Sequence, residues 1–78
     1  MKRHDTYEQL IYITTAETRV LLLMRQGMTN REIAQRLNRS EFTIKTHVER
    51  ILAKMGARNR AQACALSSEA WPMSLAGD

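Results

Sequence analysis

The chain has 78 residues, which is enough for one small domain, and its four aromatic residues (one Trp, two Tyr, one Phe) leave the core to aliphatic side chains. Its single cysteine excludes an internal disulfide and a metal site built from cysteines, and it suits a reducing, cytoplasmic compartment. No apolar run reaches the ~18–20 residues that span a membrane, so no membrane association is expected.

The net charge of +4 is unevenly distributed. Between Thr29 and Arg60 stand eight Lys and Arg residues against three Glu, a local charge of +5. A basic block of this kind favours a polyanionic partner such as nucleic acid. Judged on charge alone, a solvated helical surface explains it equally well.

Start and stop signals predict four helices. The first begins at a capping box, Thr14–Glu17, and stops at Gly27, while the second begins at the box Thr29–Glu32 and ends at Asn38. The four predicted helices span about residues 15–26, 30–37, 41–55 and 60–69, in chain order.

The third helix is capped by Ser40, carries Glu41 in its first turn and stops at Gly56; Asn59 begins the fourth helix. Around this domain, placed at residues 13–68, we expect an N-terminal arm over residues 1–12 and a flexible tail over residues 69–78.

Three of the helices carry a short apolar stripe that no helix can bury alone, so the helices are expected to pack on one another. These stripes are Val20, Leu21, Leu23 and Met24 in the first helix, Ile33, Ala34 and Leu37 in the second, and Ala61, Ala65 and Leu66 in the fourth.

The third helix has two distinct faces when residues are advanced by about 100° each. The apolar face holds Ile44, Val48, Ile51, Leu52 and Met55, and the opposite face holds Phe42, Lys45, Thr46, Glu49 and Ala53. An ordinary surface helix would show the same division. The short turn at residues 38–40, however, has the length found in helix-turn-helix pairs, and such a helix fits the major groove of DNA.

Three segments stand together at a recognisable spacing: Thr29-Asn30-Arg31-Glu32-Ile33-Ala34, Ser40-Glu41-x-Thr43-Ile44-Lys45-Thr46-His47-Val48 and Lys54-Met55-Gly56-Ala57-Arg58-Asn59-Arg60. With these segments the chain closely resembles, over about residues 13–66, the LuxR-type helix-turn-helix family, also called the FixJ/NarL or GerE type. It implies an all-α, four-helix domain unrelated to winged helices. It also implies a transcription factor that binds half-sites of double-stranded DNA as a dimer, with the second and third helices as the DNA-binding pair.

By motif position, the resemblance makes Lys45, Thr46 and Glu49 base-reading residues. Contacts to the DNA backbone, or support of the recognition helix, are implied for Thr29, Asn30, Ser40, Thr43 and His47. Positive charge nearby comes from Arg50, Lys54, Arg58 and Arg60, of which the first three are further candidates for backbone contact. The fourth helix, with Ala61, Ala65 and Leu66, is the implied surface of a weak homodimer that DNA strengthens. RNA polymerase is a further candidate partner, and no cofactor or metal is expected.

Three residues depart from the family pattern. Glu49 stands where basic or small polar residues are common, Phe42 where Lys or another polar residue is common, and Ile13 where Leu is usual. Phe42 has three candidate partners: a thymine methyl, an arm or another chain. The family's sensing half is missing from the chain, so we expect an excised domain or a free-standing small regulator.

An enzyme is not expected, because no glycine-rich phosphate loop, metal cluster or nucleophile–base signature appears. Glu17 and Glu32 are interpreted as capping groups, and Cys64 as a small core residue. The main alternative is a protein-interaction module on the same scaffold, which Phe42 and Glu49 favour and the basic flank disfavours.

Overall fold

The computed structural model describes residues 13–69, which form four α-helices and no strand. In chain order these are α1 (Thr15–Arg25), α2 (Asn30–Leu37), α3 (Glu41–Met55) and α4 (Arg60–Glu69). The predicted all-α, four-helix fold is confirmed, and each helix ends within one residue of its predicted bounds. The predicted arm, and the predicted tail beyond Glu69, lie outside the described residues.

Both predicted capping boxes are present. The Thr14 hydroxyl accepts a hydrogen bond from the Glu17 amide at 3.1 Å, and the Glu17 carboxylate accepts one from the Thr14 amide at 3.0 Å. Thr29 and Glu32 repeat the arrangement at 3.1 and 2.8 Å. Each box pairs amides that would otherwise lack intrahelical partners, so the starts of α1 and α2 are fixed by local sequence.

The helices end where the sequence permits a left-handed backbone. Gly27 follows α1 with φ of +86°, and Gly56 ends α3 with φ of +67°. Asn38 ends α2 with φ of +58°, the only non-glycine residue with positive φ in the described part of the chain. Asparagine tolerates this conformation better than most residues, which explains its place there.

The core lies around α3, which contacts α1, α2 and α4. The predicted stripes of α1 and α3 are buried, as are Ile33 and Ala34 of α2, while Leu37 and Leu52 are half-buried at the margin. These side chains form one aliphatic cluster, completed by Ala63 of α4. Within residues 13–69, no helix has the length and apolar character that a membrane crossing requires.

The predicted core stripe of α4 is wrong for two residues. Ala61 and Ala65 are exposed, Leu66 is half-buried, and the face against the core holds Ala63 and Ser67 instead. The Ser67 hydroxyl donates to the Cys64 carbonyl at 2.8 Å, so its burial leaves no unpaired donor. Because α4 is composed largely of small residues, apolar spacing could not determine its buried face; the fit against α1 and α3 determines it.

Candidate nucleic-acid interface

The turn at residues 38–40 joins α2 to α3 with its backbone well paired. The Arg39 amide donates to the Ala34 carbonyl at 2.9 Å, and the Ser40 hydroxyl accepts from the Thr43 amide at 3.0 Å. Together with the left-handed Asn38, these bonds fix the direction in which α3 leaves α2. Two helices joined in this way form a helix-turn-helix unit.

The two faces of α3 differ as sharply as the sequence predicted. Ile44 and Ile51 are fully buried, whereas Lys45 and Glu49 are exposed on the opposite side. Thr46, the third predicted base-reading residue, is half-buried beside them. The structure therefore brings these three polar side chains to one outward face, while Ile44, Val48, Ile51 and Met55 of the apolar face are buried in the core.

The residues predicted to contact the DNA backbone divide into three groups. Arg50 and Arg58 are exposed, so their guanidinium groups are accessible to an anion. Thr29 and Ser40 cap the N-termini of α2 and α3, and the Ser40 hydroxyl also donates to the Thr43 hydroxyl at 2.9 Å. These two helix starts present backbone amides to solvent, a geometry that suits phosphate oxygens. The third group, Asn30, Thr43 and Lys54, forms hydrogen bonds within the domain, and the remaining residue, His47, lines a cavity beside α3.

Lys54 forms an ion pair with Glu17, its Nζ lying 2.7 Å from the carboxylate. The Glu17 side chain is 2% exposed and the Lys54 side chain 30% exposed, so the pair lies at the edge of the core and joins α1 to the last turn of α3. Burial alone would raise the pKa of Glu17. The hydrogen bond and charge of Lys54, with the hydrogen bonds of Thr14, outweigh burial and hold that pKa below its ordinary value.

Arg60 makes a second link that the sequence did not predict. Its guanidinium donates to the Asn30 side-chain oxygen and to the Met28 carbonyl, both at 2.7 Å. The start of α4 is thereby tied to the start of α2, where Asn30 is half-buried. Because the partners lie about thirty positions apart in the sequence, local spacing gave no signal of this contact.

His47 lies on the flank of α3, between the buried and exposed faces. It lines a cavity of about 70 Å³ with Arg19 of α1 and Arg39 of the turn. Its Nδ1 atom is buried and has no hydrogen-bond partner among residues 13–69. Cationic side chains around this cavity suit an anion better than a base edge. In the same range, no three His, Cys, Asp or Glu residues are placed to hold a metal ion.

The fold and its outward helix define a helix-turn-helix domain. Residues 12–67 match the family described as bacterial regulatory proteins, luxR family. The chain belongs to this family, as its motifs predicted.

Individual relatives agree with this assignment. The chain is 40% identical over 65 residues to the DNA-binding transcriptional activator DevR/DosR of Mycobacterium tuberculosis. The matched segment covers 83% of this chain and 30% of that protein. The chain is 50% identical over 50 residues to the uncharacterized transcriptional regulatory protein YxjL of Bacillus subtilis, covering 64% and 23% of the two chains. It is 42% identical over 62 residues to the response regulator VraR of Staphylococcus aureus, covering 80% and 28%. The chain therefore spans less than a third of the length of these curated relatives.

Proposed function

We propose that this chain binds double-stranded DNA in a sequence-specific manner and serves as the output domain of a transcription regulator. The observation that carries the proposal is the two-sided environment of α3 in a luxR-family domain. Ile44 and Ile51 anchor one face completely, and Lys45 and Glu49 lie exposed on the other. A helix held in this way can enter the major groove without losing core contacts. The name of the DevR/DosR relative, a DNA-binding transcriptional activator, supports the same function.

Within this proposal the side chains of α3 have distinct roles at base edges. Lys45 donates to the acceptors of a guanine, and the Thr46 methyl contacts a thymine methyl. Glu49 accepts from the amino group of a cytosine, and its negative charge disfavours any placement close to a phosphate. The roles follow from the chemistry of each group and from its place on the outward face.

Phosphate contacts fall to the helix starts and to the exposed arginines. The N-termini of α2 and α3 offer backbone amides, and Arg50 and Arg58 offer exposed guanidinium groups. Lys54 is half-buried and forms an ion pair with Glu17, so in this proposal it acts mainly by holding α3 in place. His47, beside Arg19 and Arg39, lies where a phosphate at the edge of the interface would be attracted.

We further propose a weak homodimer through α4. Ala61 and Ala65 are exposed and stand one turn apart, so two copies of α4 can approach closely there. The area available on such a short helix is well below the ~1,200 Å² lower end of stable interfaces. Pairing on adjacent half-sites of DNA would supply the missing stability. A regulator of this kind acts in the cytoplasm and needs no catalytic group.

Fluorescence anisotropy with a labelled duplex selected from a random pool tests the central proposal. If about five phosphates are neutralised, affinity should fall by roughly 500-fold between 50 and 200 mM salt, from a log–log slope of about −0.9 per phosphate. Lys45→Ala should weaken binding to the selected duplex. Arg36→Ala is the control of equal charge, since Arg36 lines a groove between α1 and α2 that no residue of α3 borders.

Two results would contradict the proposal. The first is an affinity that does not change between the two salt concentrations. The second is the absence of binding to any duplex, which would favour the protein-interaction module instead.

A further inference from the structure

Phe42 is the one large apolar side chain that stands exposed in the described part of the chain, with 76% of its surface accessible. A single exposed apolar residue is common in soluble proteins and by itself assigns nothing. The location of Phe42 suggests a function, because it is the second residue of α3, the helix whose outward face carries the proposed base-reading residues.

The helical register places Phe42 among those residues. At about 100° per residue, it lies within about 20° of Glu49 and about 40–60° from Thr46 and Lys45. Thr46 is also four positions ahead, so the two side chains are neighbours on the helix surface. The Ser40 cap, which accepts from the Thr43 amide at 3.0 Å, fixes the turn that carries Phe42.

A phenyl ring at this position has few partners in the major groove. It has no hydrogen-bonding group, so it cannot read the donors and acceptors of the bases or bind a phosphate. The only apolar group that normal bases present in the groove is the C5-methyl of thymine, which apolar side chains such as Phe can contact. Burial of the ring against that methyl removes both from water.

We propose that Phe42 is a specificity-determining residue that packs on the C5-methyl group of a thymine in each half-site. The inference rests on the DNA binding proposed above. Lys45 lies three residues further along α3, about 4.5 Å at 1.5 Å per residue. That distance is similar to the spacing between base pairs, so we expect the thymine to lie close to the base that Lys45 reads, within the same half-site.

The test starts with selection of binding sites from a random duplex pool by the wild-type chain and by Phe42→Ser. The wild type should enrich a thymine at one position of each half-site. The Ser variant should retain the rest of the site and lose that preference. Because Phe42 is exposed, the variant should keep the helical circular dichroism of the wild type.

Replacement of the enriched thymine by deoxyuridine then removes the methyl group and leaves every hydrogen bond of the base pair unchanged. Wild-type affinity should fall about three- to fivefold per half-site, the value of one buried methyl. Phe42→Ser should bind the thymine and deoxyuridine duplexes equally well. Phe42→Leu, which keeps an apolar side chain, should restore part of the discrimination.

Other outcomes overturn the inference. If deoxyuridine has no effect on wild-type binding at any thymine, or if Phe42→Ser selects the same thymine, Phe42 does not read the methyl. A contact with another protein would give that second result with DNA affinity unchanged, whereas a contact with a second copy would give it with weaker binding to paired half-sites. Failure of the wild type to bind any duplex would instead refute the proposed function, and this inference with it.

Discussion

Glu17→Gln tests how much the ion pair with Lys54 stabilises the packing of α1 against α3. Gln at this position can still close the capping box with Thr14, so the change removes the negative charge and leaves the cap in place. Hydrogen bonds to charged groups contribute about 1.5–3 kcal/mol, whereas exposed ion pairs contribute about 0–1 kcal/mol. With Glu17 2% exposed and Lys54 30% exposed, we expect a loss of about 1–2 kcal/mol at pH 7.

Lys54→Met should be more damaging than Glu17→Gln. It removes the cation and leaves the Glu17 carboxylate buried with the Thr14 amide at 3.0 Å. The expected loss is about 2–3 kcal/mol. The double variant should cost less than the sum of the two single changes, because each single change removes the same pair. Urea unfolding followed by circular dichroism at 222 nm, a standard helix signal, measures all four proteins.

The pH dependence gives an independent measure of the same pair. Because the pKa of Glu17 is lowered on folding, its stabilisation is complete above the ordinary value of 4.5 and is lost as pH falls through the lower folded pKa. The Gln variant has no such group. The difference in unfolding free energy between wild type and Glu17→Gln should therefore shrink between pH 7 and about pH 3.

Glu32→Gln is the matched control. Glu32 occupies the same position in the second capping box, but it is exposed, and no ion pair involving it is found within residues 13–69. Its replacement should change the unfolding free energy by less than about 0.5 kcal/mol. The reasoning would be refuted if both Gln variants behaved alike at pH 7, or if the wild type and Glu17→Gln lost stability in parallel at low pH.

Three further changes test the proposed base contact of Lys45, the proposed dimer and the link between α4 and α2. Lys45→Ala should cost about 1–3 kcal/mol on a selected duplex and much less on random DNA; equal losses on both, by anisotropy, would make Lys45 a phosphate contact. Ala65→Glu should reduce cooperative binding to two half-sites and spare binding to one, whereas a tight dimer by sedimentation without DNA would contradict the weak-dimer proposal. Arg60→Lys should lower the free energy of unfolding by about 1–2 kcal/mol, since one ammonium cannot reproduce the two hydrogen bonds that the guanidinium donates to Asn30 and Met28. An unchanged urea midpoint would show that these two bonds add no stability.

The helix bounds could be predicted because they depend on neighbours in the sequence. Thr14–Glu17 and Thr29–Glu32 close their boxes over three residues, and Asn38 and Gly56 stop their helices through their own backbone preferences. The two faces of α3 could be predicted for a similar reason, since large apolar side chains recur there with helical period.

The remaining features depend on contacts between distant parts of the chain. Glu17 and Lys54 are 37 residues apart, and no local sequence pattern indicates that their side chains pair. The capping role of Glu17 is confirmed, but the ion pair on the same carboxylate became visible only in the fold. In α4, Ala61 and Ala63 are chemically identical, and only the packing of α4 against α1 and α3 decides that the second is buried and the first exposed.

The anchoring of α3 has an entropic consequence for recognition. The helix is held at its start by Ser40, at its end by the left-handed Gly56, and along one side by the core. A recognition helix that folded only on contact with DNA would lose about 1–2 kcal/mol of backbone entropy for every residue it ordered. The backbone of α3 is already held by contacts within the domain, so in the proposed complex binding would restrict mainly outward side chains such as Lys45 and Glu49, at about 0.5–1.5 kcal/mol each. Such an interface is preorganised, and most of the free energy of the proposed base contacts would remain available as affinity.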